Sequence, residues 1–69
     1  MEKRRFFKVI FKKSYEKRQG IKYAIYDSNE FHWKVDGNEE LIVSRKHNDQ
    51  EVVLSVNAND VETVEPLEL

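Results

Sequence analysis

The sequence predicts an all-β domain: a small antiparallel meander of five to six strands curled into a partly open barrel, with one short helical turn near residues 57–60. Three observations carry that prediction. Short runs of β-branched and aromatic residues alternate with polar ones at a period of two. Turn-forming clusters at Asp27-Ser28-Asn29, Asp36-Gly37 and Asn48-Asp49 punctuate those runs. Finally, 69 residues with 39% apolar content make one small domain, whose short strands bury a shared face best by curling.

The first strand spans residues 6–13. Its alternation puts Phe7, Val9 and Phe11 on the inner side and Phe6, Lys8, Ile10 and Lys12 on the outer side. Residues 14–20 are polar, end in glycine and read as a connection. The second strand, residues 21–26, turns Ile21, Tyr23 and Ile25 inward and Lys22, Ala24 and Tyr26 outward. A three-residue turn at 27–29 then sets Ile25 opposite Phe31 and Tyr23 opposite Trp33, making a hairpin with the strand at 31–35. That strand turns Phe31, Trp33 and Val35 inward and His32 and Lys34 outward.

Asp36-Gly37 signals a further hairpin. A loop of odd length there opposes Val35 to Leu41 and Trp33 to Val43, which keeps the apolar faces together. The strands at 41–46 and 51–56 pair through a two-residue turn at Asn48-Asp49. That register matches Val43 with Leu54, Leu41 with Val56 and Lys46 with Glu51. Asn57, followed three residues later by Asp60, resembles a capped single helical turn. Val61 opens a short last strand, and Pro66, lacking a backbone donor, ends it. Residues 1–4 and 67–69 are expected to fray. The predicted core also takes in Val52, Val61 and Val64. A single helical turn between the last two strands, over residues 52–65, resembles the end of SH3-like small barrels, a likeness of fold alone.

Composition excludes several functions. With no cysteine there is no disulfide, thiol nucleophile, thiolate zinc site or iron–sulfur cluster, and the absence fits a reducing cytoplasm. No apolar run has the length of a signal peptide or a membrane span. Two glycines leave no phosphate-cradling loop. Ser14, Ser28, Ser44 and Ser55 stand in no glycine-rich elbow, and His32 and His47 supply too few ligands for a metal shell. The expectation is a non-enzymatic, cytoplasmic domain without metal or cofactor.

The net charge of −1 hides an asymmetry. Residues 1–22 hold nine cations and two acids, while residues 23–69 hold three cations and eleven acids. The candidate site is the outward face of the first three strands: Phe6, Lys8, Ile10 and Lys12 beside Lys22 and Tyr26, then His32 and Lys34, with Arg5 or Lys13 at the rim. Lysines pair with phosphates, and Phe6, Tyr26 and His32 offer flat surfaces for stacked bases. The favoured role is therefore a binding module for an anionic partner, nucleic acid or an acidic protein surface. A sequence pI near 6.1 and the lack of the glycine-spaced RNA-recognition signature weigh against a general nucleic-acid binder. The plain alternative is a solvated sheet face whose lysines discourage edge pairing.

A second candidate role is a protein-binding accessory or inhibitor. It would act through the Phe6/Ile10 surface or through the acidic turns, which would imitate a nucleic-acid backbone towards a nucleic-acid-processing protein. In this it resembles, in outline, small inhibitors encoded by bacterial viruses. A structural subunit of a homo-oligomer is the third.

Overall fold

The computed structural model describes residues 4–69. Six strands, a short helix and a 3-10 turn follow one another among them. They are β1 (Arg5–Phe11), α1 (Lys13–Gln19), β2 (Tyr23–Asp27), β3 (Phe31–Val35), β4 (Glu40–Arg45), β5 (Asn48–Asn57), the 3-10 turn Ala58–Asp60 and β6 (Val61–Glu68). They form two antiparallel three-stranded sheets, ordered β2-β1-β6 and β3-β4-β5. The described residues are mostly β, and the two sheets do not make a closed barrel. The continuous meander fails at two joints, because β2 and β3, and again β5 and β6, belong to different sheets.

The central strand of each sheet supplies most of the core. Phe7, Val9 and Phe11 of β1 meet Leu41 and Val43 of β4 and Val56 of β5. Val9 and Val43 are both fully buried. The alternation of β1 is therefore as the sequence predicts: every second residue is inside, and burying each such side chain is worth about 1.5–3 kcal/mol.

The connection at residues 14–20 is largely helical. Residues 13–19 carry no β-branched side chain, and Gly20 follows in the left-handed conformation (φ 73°) that ends a helix. Its amide donates to the Glu16 carbonyl at 2.7 Å. Two contacts dock α1. The Tyr15 ring stacks on Phe11 at 4.4 Å, and Arg18 Nη2 donates to Asp60 Oδ1 at 2.8 Å.

The inner and outer faces of β2 are the reverse of the predicted ones. Phe7 pairs with Tyr26 and Val9 with Ala24, so Ala24 and Tyr26 face the core while Ile21, Tyr23 and Ile25 are largely exposed. Helix α1 separates β1 from β2, so no tight turn dictates register, and ring stacking of Tyr26 on Phe7 at 5.5 Å decides it. The turn after β2 does form: Asp27 Oδ1 accepts from the Asn29 amide at 2.8 Å. It passes the chain to the second sheet rather than closing a hairpin.

In that sheet Val35 pairs with Leu41 and Trp33 with Val43 across a five-residue loop, as predicted. Trp33 and Val35 are nevertheless exposed, not core. Leu41 pairs with Val56 and Val43 with Leu54, also as predicted. Beyond Val43 the ladder is irregular. Ser44 pairs with Val52 and Arg45 with Asn48, so the turn falls at Lys46-His47 instead of Asn48-Asp49. Val52 is left exposed, and Glu51 is bridged by Arg45 at 2.6 Å rather than facing Lys46.

Asn57 caps the 3-10 turn through its side chain, which accepts from the Asn59 amide at 2.8 Å. Strand β6 runs past Pro66, which pairs with Phe7. The C-terminal end does not fray in the expected way: Leu67 and Glu68 lie in β6, and the Leu69 amide donates to the Arg4 carbonyl at 3.1 Å. Residues 1–3 lie outside the described residues.

Candidate functional site

Directly opposed residues in an antiparallel sheet share a face, so the register of β2-β1-β6 fixes what the outer face of the first sheet carries. Phe6 lies between Asp27 and Leu67, Lys8 between Ile25 and Glu65, and Ile10 between Tyr23 and Thr63. That face carries five apolar or aromatic residues, one lysine and two carboxylates, not the basic surface expected. Tyr23 and Ile25 on it are 50% and 45% exposed.

The eight predicted site residues disperse accordingly. Tyr26 points inward, between Phe7 and an edge-on contact with Phe31 at 5.6 Å. Its burial, and secondarily the nearby Tyr15 hydroxyl, push its phenol above its ordinary pKa of 10.0. His32 and Lys34 stand on β3, in the other sheet. Phe6 lines a cleft of about 360 Å³ together with Phe31, His32, Trp33 and Pro66. Apart from Phe6 and His32 in that cleft, only Lys8, Ile10, Lys12 and Lys22 stay together.

They do so in a second cleft, of about 650 Å³, where β1 leads into α1 and the chain returns to β2. Lys8, Lys12, Lys13 and Lys22 stand around Ile10, Phe11 and Tyr23, and Glu16 and Glu62 contribute the opposing charge. Four lysines against two carboxylates leave the cleft cationic although the chain as a whole is slightly anionic. Backbone bonds hold it in place. The Lys12 amide donates to the Asp60 carbonyl at 2.8 Å, the Lys12 carbonyl accepts from the Glu16 amide at 3.0 Å, and the Lys22 carbonyl accepts from the Phe11 amide at 3.0 Å.

Two side-chain contacts define the cleft's working surface. The Lys8 ammonium sits 4.4 Å from the centre of the Tyr23 ring, a cation–π pair. Lys22 Nζ lies 3.8 Å from Glu16 Oε1 and is mostly exposed, a weak pair that an incoming anion can replace. Lys13 enters the cleft itself, where the sequence placed it only at the rim, and Tyr23 was placed in the core. The signal for Lys13 was the run of helix formers ending at Gly20: read as a helix, it folds Lys12 and Lys13 back toward Lys22.

A serine, a histidine and an aspartate also converge. His32 Nε2 lies 2.8 Å from Asp49 Oδ1 and 3.1 Å from Ser44 Oγ. An ionised carboxylate only accepts, so Nε2 carries the proton in that contact. A catalytic base needs the hydroxyl on one ring nitrogen and the acid on the other; here both share one, and Ser44 is 1% exposed. The cluster ties β3 to the start of β5 and does not build a nucleophile.

The turn carboxylates hold local positions. Asp36 Oδ1 accepts from the Asn38 and Glu40 amides, and Asp27, Asp49, Asp60 and Glu51 are engaged as described above. Among the described residues no three potential metal ligands cluster, and no helix is long and apolar enough to cross a membrane. Comparison of the chain with protein-family models, with curated proteins and with solved structures finds no match.

Proposed function

We propose that this protein is a non-enzymatic binding module that engages an anionic partner, nucleic acid, through the lysine-lined cleft between β1, α1 and β2. One observation carries the reading: an otherwise slightly acidic chain gathers Lys8, Lys12, Lys13 and Lys22 around one cleft that Tyr23 and Ile10 also line. Lysine ammonium groups neutralise phosphates and release counterions, so four contacts to a single strand give a slope of log affinity against log salt of about −3. An exposed cation–π pair is worth about 0.5–1 kcal/mol, while base stacking on an aromatic ring is worth about 1–3 kcal/mol. Exchanging the first for the second therefore favours binding.

The test is a salt titration of binding to a fluorescently labelled oligonucleotide. Affinity should fall steeply with salt, and Lys12→Glu and Lys22→Glu should each weaken it several-fold. Binding that ignores salt, or that survives both reversals, rejects the reading.

A second reading rests on a different observation, the apolar outer face of the first sheet, where Phe6, Ile10, Tyr23 and Ile25 flank Lys8. Such a face suits a protein partner. The supporting result is a stoichiometric, nuclease-resistant partner that Ile25→Asp releases. The acidic-mimic variant of that reading draws less support, because Asp27, Asp36, Asp49, Glu51 and Asp60 already engage amides or neighbouring side chains. We also propose, at the level of fold, a likeness to SH3-like small barrels; the 3-10 turn between the last two strands supports it.

A further inference from the structure

We propose that the cleft discriminates single-stranded from double-stranded nucleic acid by stacking an unpaired base on Tyr23, with Lys8 passing from the ring to a phosphate as the strand arrives. This rests on the anionic-partner reading above and adds what the partner must look like.

The floor and the rim of the cleft ask for different chemistry. The rim is cationic and takes any phosphate. The floor is not: Tyr23 pairs with Ile10 across β1 and β2, and Ile25 pairs with Lys8 one step along the same face. Half of the Tyr23 surface is open to solvent, and a cation already sits over its ring at 4.4 Å. The group over that ring is the end of a long, flexible side chain, which a flat base can displace.

A duplex keeps its bases stacked inside the helix and offers this cleft nothing but phosphates. A single strand can splay a base out, lay it on the ring and leave its flanking phosphates against the rim. Lys8 is the residue shared by the two regions. While it covers Tyr23 the platform is closed; drawn to a phosphate, it opens the platform and neutralises the strand in one movement. An acidic peptide would satisfy the lysines equally well but brings no flat ring system to the floor.

The experiment measures fluorescence anisotropy with a labelled oligonucleotide of about twelve nucleotides, the same sequence as a duplex, and a polyglutamate peptide of similar length. The single strand should bind about tenfold or more tightly than the other two. Tyr23→Ala should cost about tenfold on the single strand and leave the duplex unchanged, while Tyr23→Phe retains wild-type affinity. Lys8→Met should weaken binding and make the single-strand salt slope shallower by about 0.7. If Tyr23→Ala lowers the melting temperature, Tyr23→Leu keeps the apolar bulk without the ring and should show the same loss. Equal affinity for strand and duplex, or tyrosine variants that bind like wild type, overturns this inference and leaves the lysine cleft standing. Polyglutamate bound as tightly as the strand overturns it too. No binding of the wild-type protein to either nucleic acid at low salt overturns both readings.

Discussion

The two sheets are alike in size and differ in how they are wired. The second sheet, β3-β4-β5, is made of strands consecutive in the chain, each joined to the next by a short turn. The first, β2-β1-β6, has its central strand paired on one side across a helix and on the other with the last strand of the chain. The second sheet carries the local turn chemistry, and the first carries the candidate site. Where pairing is local, turn length and side-chain pattern determine register. Where it is distant, register is set by what packs, and the faces follow from that.

The two sheets nevertheless share one core, and the largest predicted effect tests whether they are one folding unit. Phe7→Ala in the first sheet should cost about 3–5 kcal/mol and Leu41→Ala in the second about 2–5 kcal/mol, a large share of the stability of so small a domain. Trp33, the single tryptophan, reports on the second sheet. Its fluorescence and far-ultraviolet circular dichroism should trace the same denaturation curve in both variants. A Trp33 transition left in place by Phe7→Ala would show that the sheets unfold separately.

The same contrast explains what could be read from the chain. The pairing of Val35 with Leu41, the pairing of Val43 with Leu54 and the Asn57 cap were legible because each is decided within about twenty residues. The inversion of β2 was not. Ile21, Tyr23 and Ile25 look like an inner face, and only the stacking of Tyr26 on Phe7 outweighs them. Because a shift of one residue exchanges the two faces of a strand, the inversion put Tyr23 and Ile25 on the outer face where Ala24 and Tyr26 were expected. Three of the four retained site residues, Lys8, Ile10 and Lys12, come from β1 and the link to α1, where local pattern is strong. Tyr26, His32 and Lys34 were lost with the register of β2 and its supposed pairing with β3.

The β3–β4 loop gives a prediction of intermediate size. Glu39 adopts the left-handed conformation, at φ 59°, and its carbonyl accepts from the Ala58 amide at 2.8 Å. The conformation is costly for a residue with a Cβ and free for glycine. Glu39→Gly should therefore stabilise the protein by about 1 kcal/mol, seen as a higher denaturant midpoint at unchanged slope. A lower midpoint would mean that the glutamate side chain contributes more than its backbone costs. No corresponding gain is available in the first sheet, where the left-handed residue at the end of α1 is already Gly20.

Smaller again is the tie between β3 and the start of β5. Residues 49–51 fall between successive register partners on β4, and the Asp49 contact with His32 fastens that stretch. Both side chains are substantially exposed, so Asp49→Asn should cost only about 0.2–1 kcal/mol. Faster amide hydrogen exchange confined to residues 48–52 is the sharper readout. Exchange that quickens equally in β1 would mean that this corner supports the whole core.

Tyr26 touches both sheets, through Phe7 on one side and Phe31 on the other, and its effect appears only in alkali. Burial raises its phenol pKa in the folded state above the ordinary 10.0. From about pH 10 upward the unfolded chain therefore releases this proton before the folded one does. The contribution of neutral Tyr26 is complete below that pH and declines as pH rises toward the folded-state value. Tyr26→Phe keeps the ring and its stacking but has no proton to lose. Its stability should match wild type near neutrality and fall less steeply above pH 10, so the two curves diverge on the alkaline side. Curves that stay parallel would mean that the hydroxyl is solvated in the folded protein, and that the contact joining the sheets at this point is looser than the ring geometry describes.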